Sequence, residues 1–330
     1  MTNVLINKSS SPLGFSKFET NNVAVGELEY EVRQNRESPA LCLDNKPIMV
    51  KQWQRYIERK IGFVLPSAQS KWLLNAVEQT AAKYKLSLTE LWEMVQVNDQ
   101  LQQQLLDTVL IPESRFFRHE PSIAFIVEIA RQYATELSKK NTKTDFDNRV
   151  QGKSAHSLDE PFRIWSVGCA TGQEVWSVAM TLAANNLSNY TILGTDVSKQ
   201  ALATARAGQY HQRQKMSIPP SYHRFMQPLT TEPQAHWQVK PKLHEQVSFI
   251  WHNIFTQSLA TPHLQQVILC QNVLIYFRQF DQRDILARLT AQCVLGGYII
   301  LAPGEALSWR PSNMRRVAHT KINAWQKISA

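Results

Sequence analysis

Two periodicities divide the chain. From Pro47 to about Leu110 apolar residues recur every three or four positions, the spacing of helices with one buried face. Trp53, Tyr56, Ile57 and Ile61 form the first stripe, and Gly62 ends it. Leu73, Ala76, Val77, Thr80, Ala81 and Tyr84 form a second. Ser87 and Glu90 stand at capping-box spacing before a third, made by Leu91, Trp92 and Val95. Leu101, Leu105, Leu106, Val109 and Leu110 make a fourth, and another helix is expected over about Ser122 to Leu137. Such stripes predict a helical core and carry no chemistry by themselves. Trp72, Trp92 and Trp165 read as packing residues.

After Phe162 short apolar runs alternate with helical stretches: "FRIWSV", a helix to Ala184, "YTILGTD", a helix to Ala207, "VSFIWHN", "QVILCQN", a helix from Asp281 to Cys293, and "GGYIILA". This alternation predicts the α/β class, a mainly parallel sheet covered by helices. Residues 209–246 interrupt it with Pro219, Pro220, Pro228, Pro233 and Pro241, too long a connection for a simple helix-to-strand link. A small inserted β subdomain is expected there. The division read from the pattern is a polar, flexible tail over 1–45, a helical domain over 46–115, a linker helix and flexible polar insertion over 116–160, and the α/β domain over 161–330. No internal repeat is evident.

Composition narrows this picture. The 330 residues carry a net charge of +9, which suits an acidic partner without choosing among nucleic acid, a membrane face and an acidic protein. Cys42, Cys169, Cys270 and Cys293 show no C-x-x-C spacing, which signals neither a zinc site nor a redox pair, and scattered thiols suit a reducing compartment. The start lacks the apolar run of a signal peptide. The longest apolar stretch, from Cys293, is about half of the roughly 20 residues a membrane span needs. A soluble cytoplasmic protein is expected. His156, His252 and His319 have no Cys or Asp partner at metal-ligand spacing, so they read as surface or core histidines.

The chemistry concentrates in "RIWSVGCATGQEVWSVAM", Arg163 to Met180, a strand, a glycine turn and a helix. Gly168 and Gly172 let backbone approach a ligand there. A P-loop would continue Gly-Lys-Ser/Thr; this turn continues Gly-Gln-Glu, and Glu174 would repel a pyrophosphate. Ala170 takes the middle-glycine place of a dinucleotide fingerprint. A cationic donor without phosphate fits better. S-adenosylmethionine carries an ammonium and a sulfonium, and Asp196, 24 residues past Gly172 at the end of the next strand, can accept both ribose hydroxyls. Each residue alone has a plainer reading, Glu174 as a complement to a helix N-terminus and Asp196 as a helix cap. Their order on consecutive strands favours the ligand.

"RIWSVGCATGQE", "ILGTDVSKQALATARAGQY", "HNIF", "CQNVLIYF" and "GGYIILAPGEAL" resemble the CheR-type chemotaxis receptor methyltransferases, and "IERKIGFVL" and "ESRFFRH" resemble that family's helical domain and link. The resemblance runs in order from about residue 47 to near the C-terminus. It implies a Rossmann-like methyltransferase sheet, a helical N-terminal domain, and methyl transfer from S-adenosylmethionine to receptor glutamates, leaving S-adenosylhomocysteine. It further implies that Glu174 holds the methionine ammonium and Asp196 the ribose, that Asn253 and Ile254 line the adenine, and that Cys270 and Gln271 close the far side. Arg118 and Tyr276 would face the reacting centre, and Ser114 stands where the family has Thr. The partners implied are the cytoplasmic helices of a methyl-accepting receptor and, in some relatives, a receptor tail peptide on the inserted subdomain; nucleic acid and direct membrane contact are not expected. Gln173 departs from the family's Gly-Glu-Glu, Gln271 from its Arg, Pro112 from a ligand-facing Asn, and "PGEAL" from a histidine. The second helix offers Lys71, Lys83 and Lys85 with Glu78 instead of arginines. These departures suit a specialised member, such as one serving a pilus-motility array.

Glutamate is already ionised at pH 7, so its methylation needs no general base, only alignment and removal of water. Arg118 could hold one carboxylate oxygen while the other attacks. Two alternatives remain. A nucleic-acid methyltransferase would use the same donor, but the stretch after the fourth strand, "CQNVLIY", lacks the Asp/Asn-Pro-Pro-aromatic motif of amino-group methylation, and no cysteine follows a proline. A non-catalytic relative that senses the cofactor or scaffolds an array is allowed by Gln173 and Gln271.

Overall fold

The first four stripes become four helices: α1 (Lys46–Ile61), α2 (Ser70–Lys83), α3 (Leu88–Val97) and α4 (Asp99–Val109). The computed structural model describes residues 46–110, 113–151, 160–229, 236–256 and 260–329. The tail expected over 1–45, Pro112 and His156 lie outside them. Trp53, Tyr56, Ile57 and Ile61 are buried, and Trp53 meets Tyr56 and Trp92 edge-on at centroid distances of 5.9 and 4.9 Å. Burial of each such side chain is worth about 1.5–3 kcal/mol. The Ser87 hydroxyl accepts from Glu90 N–H and the Glu90 carboxylate accepts from Ser87 N–H, closing the capping box. Tyr84 departs from its expected stripe. It is the C-cap of α2 and is exposed.

α5 (Glu120–Gln151) continues well past Leu137, where a flexible insertion was expected. Between Ser138 and Gln151 there is neither Gly nor Pro, and polarity alone does not end a helix.

The α/β half follows in chain order: β1 (Phe162–Val167), α6 (Gln173–Ala184), β2 (Tyr190–Asp196), α7 (Lys199–Ala207), β3 (Gln209–His211), α8 (Gln212–Lys215), β4 (Met226–Pro228), β5 (His236–Val239), α9 (Pro241–His244), β6 (Val247–Trp251), β7 (Gln265–Cys270), α10 (Gln279–Gln292), β8 (Cys293–Leu301), β9 (Met314–Arg316) and β10 (Asn323–Lys327). Seven strands make one sheet in the order β6-β2-β1-β7-β8-β10-β9. The first five are parallel; β10 and β9 add antiparallel. The last two strands gave no periodic signal, since both are short and lie in a polar stretch. β1 sits between β2 and β7, so the chain reverses direction across the sheet there. Ligands of open α/β sheets bind outside the carboxyl ends of the strands at such a point. The pairing of Val167 with Thr195 sets Gly168 beside Asp196. Within 209–239 a separate antiparallel sheet forms in the order β3-β5-β4. Its Tyr210 hydroxyl donates to Thr171 O at 2.6 Å, tying it to the glycine turn.

The helices close over this edge of the sheet. Asn253 Nδ2 donates to Lys60 O and Val64 N–H donates to Tyr276 O, each at 2.8 Å. Phe63 stacks on Tyr276 at 4.8 Å. Gln103 Nε2 donates to Val197 O at 3.0 Å, and Ser198 Oγ donates to Asp107 Oδ1 at 2.7 Å. Gly62 is the tightest point: its φ is +77°, and a Cβ there would lie 2.5 Å from Phe255 and 2.8 Å from Phe277. No helix among the described residues is long and apolar enough to cross a membrane.

Gly62→Ala should therefore destabilise by about 2–4 kcal/mol, combining left-handed strain with overpacking. Gly296→Ala, at a similar φ but with nothing within 4 Å of the new Cβ, should cost only about 1–2 kcal/mol. Urea denaturation of both variants checks the difference; equal losses would mean that the seam tolerates the methyl.

Candidate functional site

A cavity of about 230 Å³ opens at the switch point. Ile61, Phe63, Trp72 and Leu110 form its helical wall. Gly168, Asp196, Asn253, Ile254, Asn272 and Tyr276 come to it from the sheet side. A second, much smaller space lies against Arg118, Ser122, Glu174, Leu269 and Gln271. Chain neighbours Gln271 and Asn272 line one space each.

Asp196 ends β2 with both carboxylate oxygens fixed. Oδ2 accepts from Ala170 N–H and Oδ1 from Ser198 N–H, each at 2.8 Å. Burial raises its pKa, and these N–H groups oppose the rise. Each oxygen keeps lone pairs for hydroxyl donors. Glu174 stands in the first turn of α6, where Ser166 Oγ donates to its Oε1 at 2.8 Å. Desolvation pushes its pKa up to about 7, against the lowering effects of Ser166 and, more weakly, of the Arg118 guanidinium. No salt bridge neutralises either carboxylate among the described residues. A bound cation would supply what both lack. The donor set, Asp196 in the larger cavity and Glu174 in the smaller space, both partly desolvated carboxylates, fits S-adenosylmethionine and disfavours phosphate.

Arg118 is exposed, and its segment is anchored on both sides. Phe116 packs edge-on to Tyr210 at 4.8 Å, Phe117 packs on Tyr222 at 4.6 Å, and Phe117 N–H donates to Ser177 Oγ at 2.9 Å. The guanidinium donates to Glu113 O at 3.4 Å and acts electrostatically on both Glu174 and Tyr276. Burial raises the Tyr276 phenol, helped by Glu113 and opposed by Arg118. Ser114 is half-buried between them in sequence.

Three sequence-predicted ligand residues, Ser114, Gly172 and Cys270, line neither space. Cys270 is fully buried in the apolar layer with Trp165, Leu286 and Ile299. Gly172 faces α7, where an added Cβ would lie 2.8 Å from that of Ala205, so packing accounts for this glycine. The departures from the family pattern are internally satisfied. Gln173 is buried and accepts from Thr171 Oγ1 at 2.7 Å. Gln271 Nε2 donates to Ser122 Oγ at 3.0 Å and Leu301 O at 3.2 Å.

Glu305 was missed by sequence reasoning. It is buried, and its Oε2 accepts from Asn272 N–H and Ala302 N–H, each at 3.0 Å. It thereby ties the end of β8 to the turn that carries Tyr276, where Asn272 takes a φ of +60°. Asn323 Nδ2 supports the same loop through Ala302 O and Glu305 O. Only the buried acid in "PGEAL" hinted at this. His252, expected as a surface or core histidine, is buried against Trp165 and also lines the larger cavity; burial pushes its pKa down to about 4. Among the described residues no cluster could hold a metal ion.

Residues 113–323 match the family model described as "CheR methyltransferase, SAM binding domain". The chain is 26% identical over 279 residues to chemotaxis protein methyltransferase Cher2 of Pseudomonas putida, covering 81% of this chain and 93% of that protein. It is 29% identical over 275 residues to chemotaxis protein methyltransferase 1 of Pseudomonas aeruginosa, covering 79% and 91%. Among solved structures, the N-methyltransferase NodS of Bradyrhizobium japonicum with S-adenosyl-L-homocysteine aligns at 12% identity and a TM-score of 0.31, over 60% of this chain and 86% of that one.

Because burial raises the Glu174 pKa to about 7, its ionised form burdens the folded protein from the unfolded value near 4.5 upward, fully so above pH 7. Glu174→Gln should raise the melting temperature of the ligand-free protein at pH 8, and the gain should fade as pH falls from 7 toward 4.5. Differential scanning calorimetry across that range checks it; a gain independent of pH would assign the effect to something other than the buried charge.

Proposed function

Because this chain belongs to the CheR methyltransferase family, we propose that it transfers a methyl group from S-adenosylmethionine to glutamate side chains of a chemoreceptor, with Arg118 and Tyr276 at the reacting centre. It is an S-adenosylmethionine-dependent methyltransferase. The observation that supports the site assignment is two desolvated carboxylates without a salt-bridge partner among the described residues, Asp196 lining the larger cavity with Tyr276 and Glu174 lining the smaller space with Arg118.

Glu174 would hold the donor's ammonium, and Asp196 the ribose hydroxyls. Gly168, Asn253 and Ile254 would line the purine and sugar, with Ser114 and Gln271 at the methionine end. When bound, S-adenosylmethionine supplies the methyl: an acceptor carboxylate oxygen forms an O–CH₃ bond as the S–CH₃ bond breaks, giving a methyl ester and S-adenosylhomocysteine. The chain's own task is to present the acceptor as a desolvated anion. Arg118 is suited to hold one carboxylate oxygen and leave the other free. Tyr276, a neutral phenol at pH 7, can donate a hydrogen bond or bound the acceptor's approach. No proton need move. An anion and a cation become neutral products, and the apolar walls of Phe63, Trp72 and Leu110 favour that loss of charge. An extended receptor tail could add as a strand to β3 or β4, the edges of the small sheet.

The test is incubation with tritiated S-adenosylmethionine and membranes from the same cell, followed by alkaline release of methanol. Base-labile label is expected; base-stable label would remove the ester reading. Arg118→Ala should keep donor affinity within about threefold by calorimetry yet lose transfer by about 100-fold or more. Normal turnover would remove Arg118 from the mechanism. Donor affinity should fall as pH drops below about 7, because Glu174 binds the ammonium only when ionised.

A further inference from the structure

The smaller space, about 10 Å³, has room for one water-sized group. Its polar lining is Arg118, His119, Ser122, Glu174 and Gln271. Chemistry fixes the orientation of the Gln271 amide. A backbone carbonyl only accepts, so the atom 3.2 Å from Leu301 O must be the amide nitrogen. The second hydrogen of that nitrogen goes to Ser122 Oγ at 3.0 Å. Ser122 is buried and can then donate its own proton to His119 Nδ1 at 2.7 Å. The His119 ring is a neutral acceptor in this arrangement, and burial lowers its pKa in keeping with that. Donation therefore runs one way, from amide to hydroxyl to imidazole. Gln271 Oε1 is left over, and accepts no hydrogen bond among the described residues. In Glu174 the Ser166 hydroxyl occupies Oε1, and Oε2 accepts none among the described residues. Two oxygens thus remain for whatever enters a space of this size.

We propose that Gln271 is a specificity-determining residue for the methyl donor: its Oε1 and Glu174 together hold the donor's ammonium, and the donor's carboxylate goes unread. The inference rests on the reading of this site as one for S-adenosylmethionine. Size and charge both favour the amine. An ammonium is close to water in size and offers three donors to the two oxygens. A carboxylate is larger and would set its charge against Glu174 and the amide oxygen, at a cost that burial raises. Among the described residues only Arg118 brings a guanidinium to the space, and it is assigned to the acceptor's carboxylate. An arginine at 271 would offer a cation to the donor's carboxylate; the glutamine offers an oxygen instead. The donor site should therefore tolerate loss of the donor's carboxylate and not loss of its amine.

The test is calorimetric titration of the full-length protein with S-adenosylhomocysteine and two analogues. One lacks only the carboxylate, an aminopropyl thioether; the other lacks only the amine, a carboxypropyl thioether. Wild type should bind the aminopropyl analogue within about threefold of S-adenosylhomocysteine and the carboxypropyl analogue about 30-fold more weakly, the size of a hydrogen bond to a charged group. Gln271→Met, similar in shape but without the amide oxygen, should weaken the aminopropyl analogue about tenfold and leave the carboxypropyl analogue within about threefold of its wild-type affinity. Gln271→Arg, the second variant, should reverse the order of the two analogues. Equal losses for both analogues in wild type, or a larger loss for the aminopropyl one, overturn the inference, while binding of S-adenosylhomocysteine keeps the donor reading. Wild-type discrimination that persists unchanged in both variants assigns it to Glu174 alone and also overturns the role of Gln271. Failure of wild type to bind S-adenosylhomocysteine removes the donor reading and the inference with it.

Discussion

The seam between the helices and the sheet is what makes a site of a sheet edge. Two backbone carbonyls, of Lys60 and Tyr276, take hydrogen bonds from Asn253 and Val64, and Phe63 lies flat on the Tyr276 ring. Without these contacts the ends of β1, β2 and β7 would face water. With them, Ile61, Phe63, Trp72 and Leu110 roof the strand ends and lower the local polarity. Gly62 lets the chain turn hard enough to bring that roof down.

Low polarity sets the electrostatics. Glu174 and Asp196 lose water and gain no fixed cation, so each is held at a cost that a cationic ligand offsets. Backbone N–H groups hold Asp196 in place, and Ser166 holds Glu174. Glu305 shows the contrasting use of a buried acid. Its Oε2 accepts from N–H groups of the Asn272 turn and of Ala302, which ties the end of β8 to that turn.

The placing of Arg118 depends on its neighbours. Phe116 and Phe117 are both buried, in contact with Tyr210 and Tyr222 around the small antiparallel sheet. That sheet therefore braces the arginine's segment from behind, and Tyr210 braces the glycine turn through Thr171 O. Gln173 and Gln271, where the family carries charge, are satisfied by a hydroxyl or by a hydroxyl and a carbonyl, so both changes are neutral replacements within intact networks.

Local order was legible in the sequence. The stripe of Trp53, Tyr56, Ile57 and Ile61, the Ser87–Glu90 box and the parallel strands through "FRIWSV" and "YTILGTD" are set by side-chain periodicity and capping, which act within a few residues. The placing of Asp196 beside the glycine turn was legible too, because adjacent parallel strands bring their ends together. Only the tertiary structure decided which of the expected ligand residues face a cavity. Cys270 and Asn272 are two residues apart, yet one is sealed under α10 and the other lines the site, since the turn after β7 enters a left-handed conformation held by Glu305. The same holds for α5, whose length followed from the lack of a breaker rather than from an apolar stripe. It holds above all for the seam, in which residues some two hundred positions apart meet through backbone carbonyls that no side-chain pattern encodes.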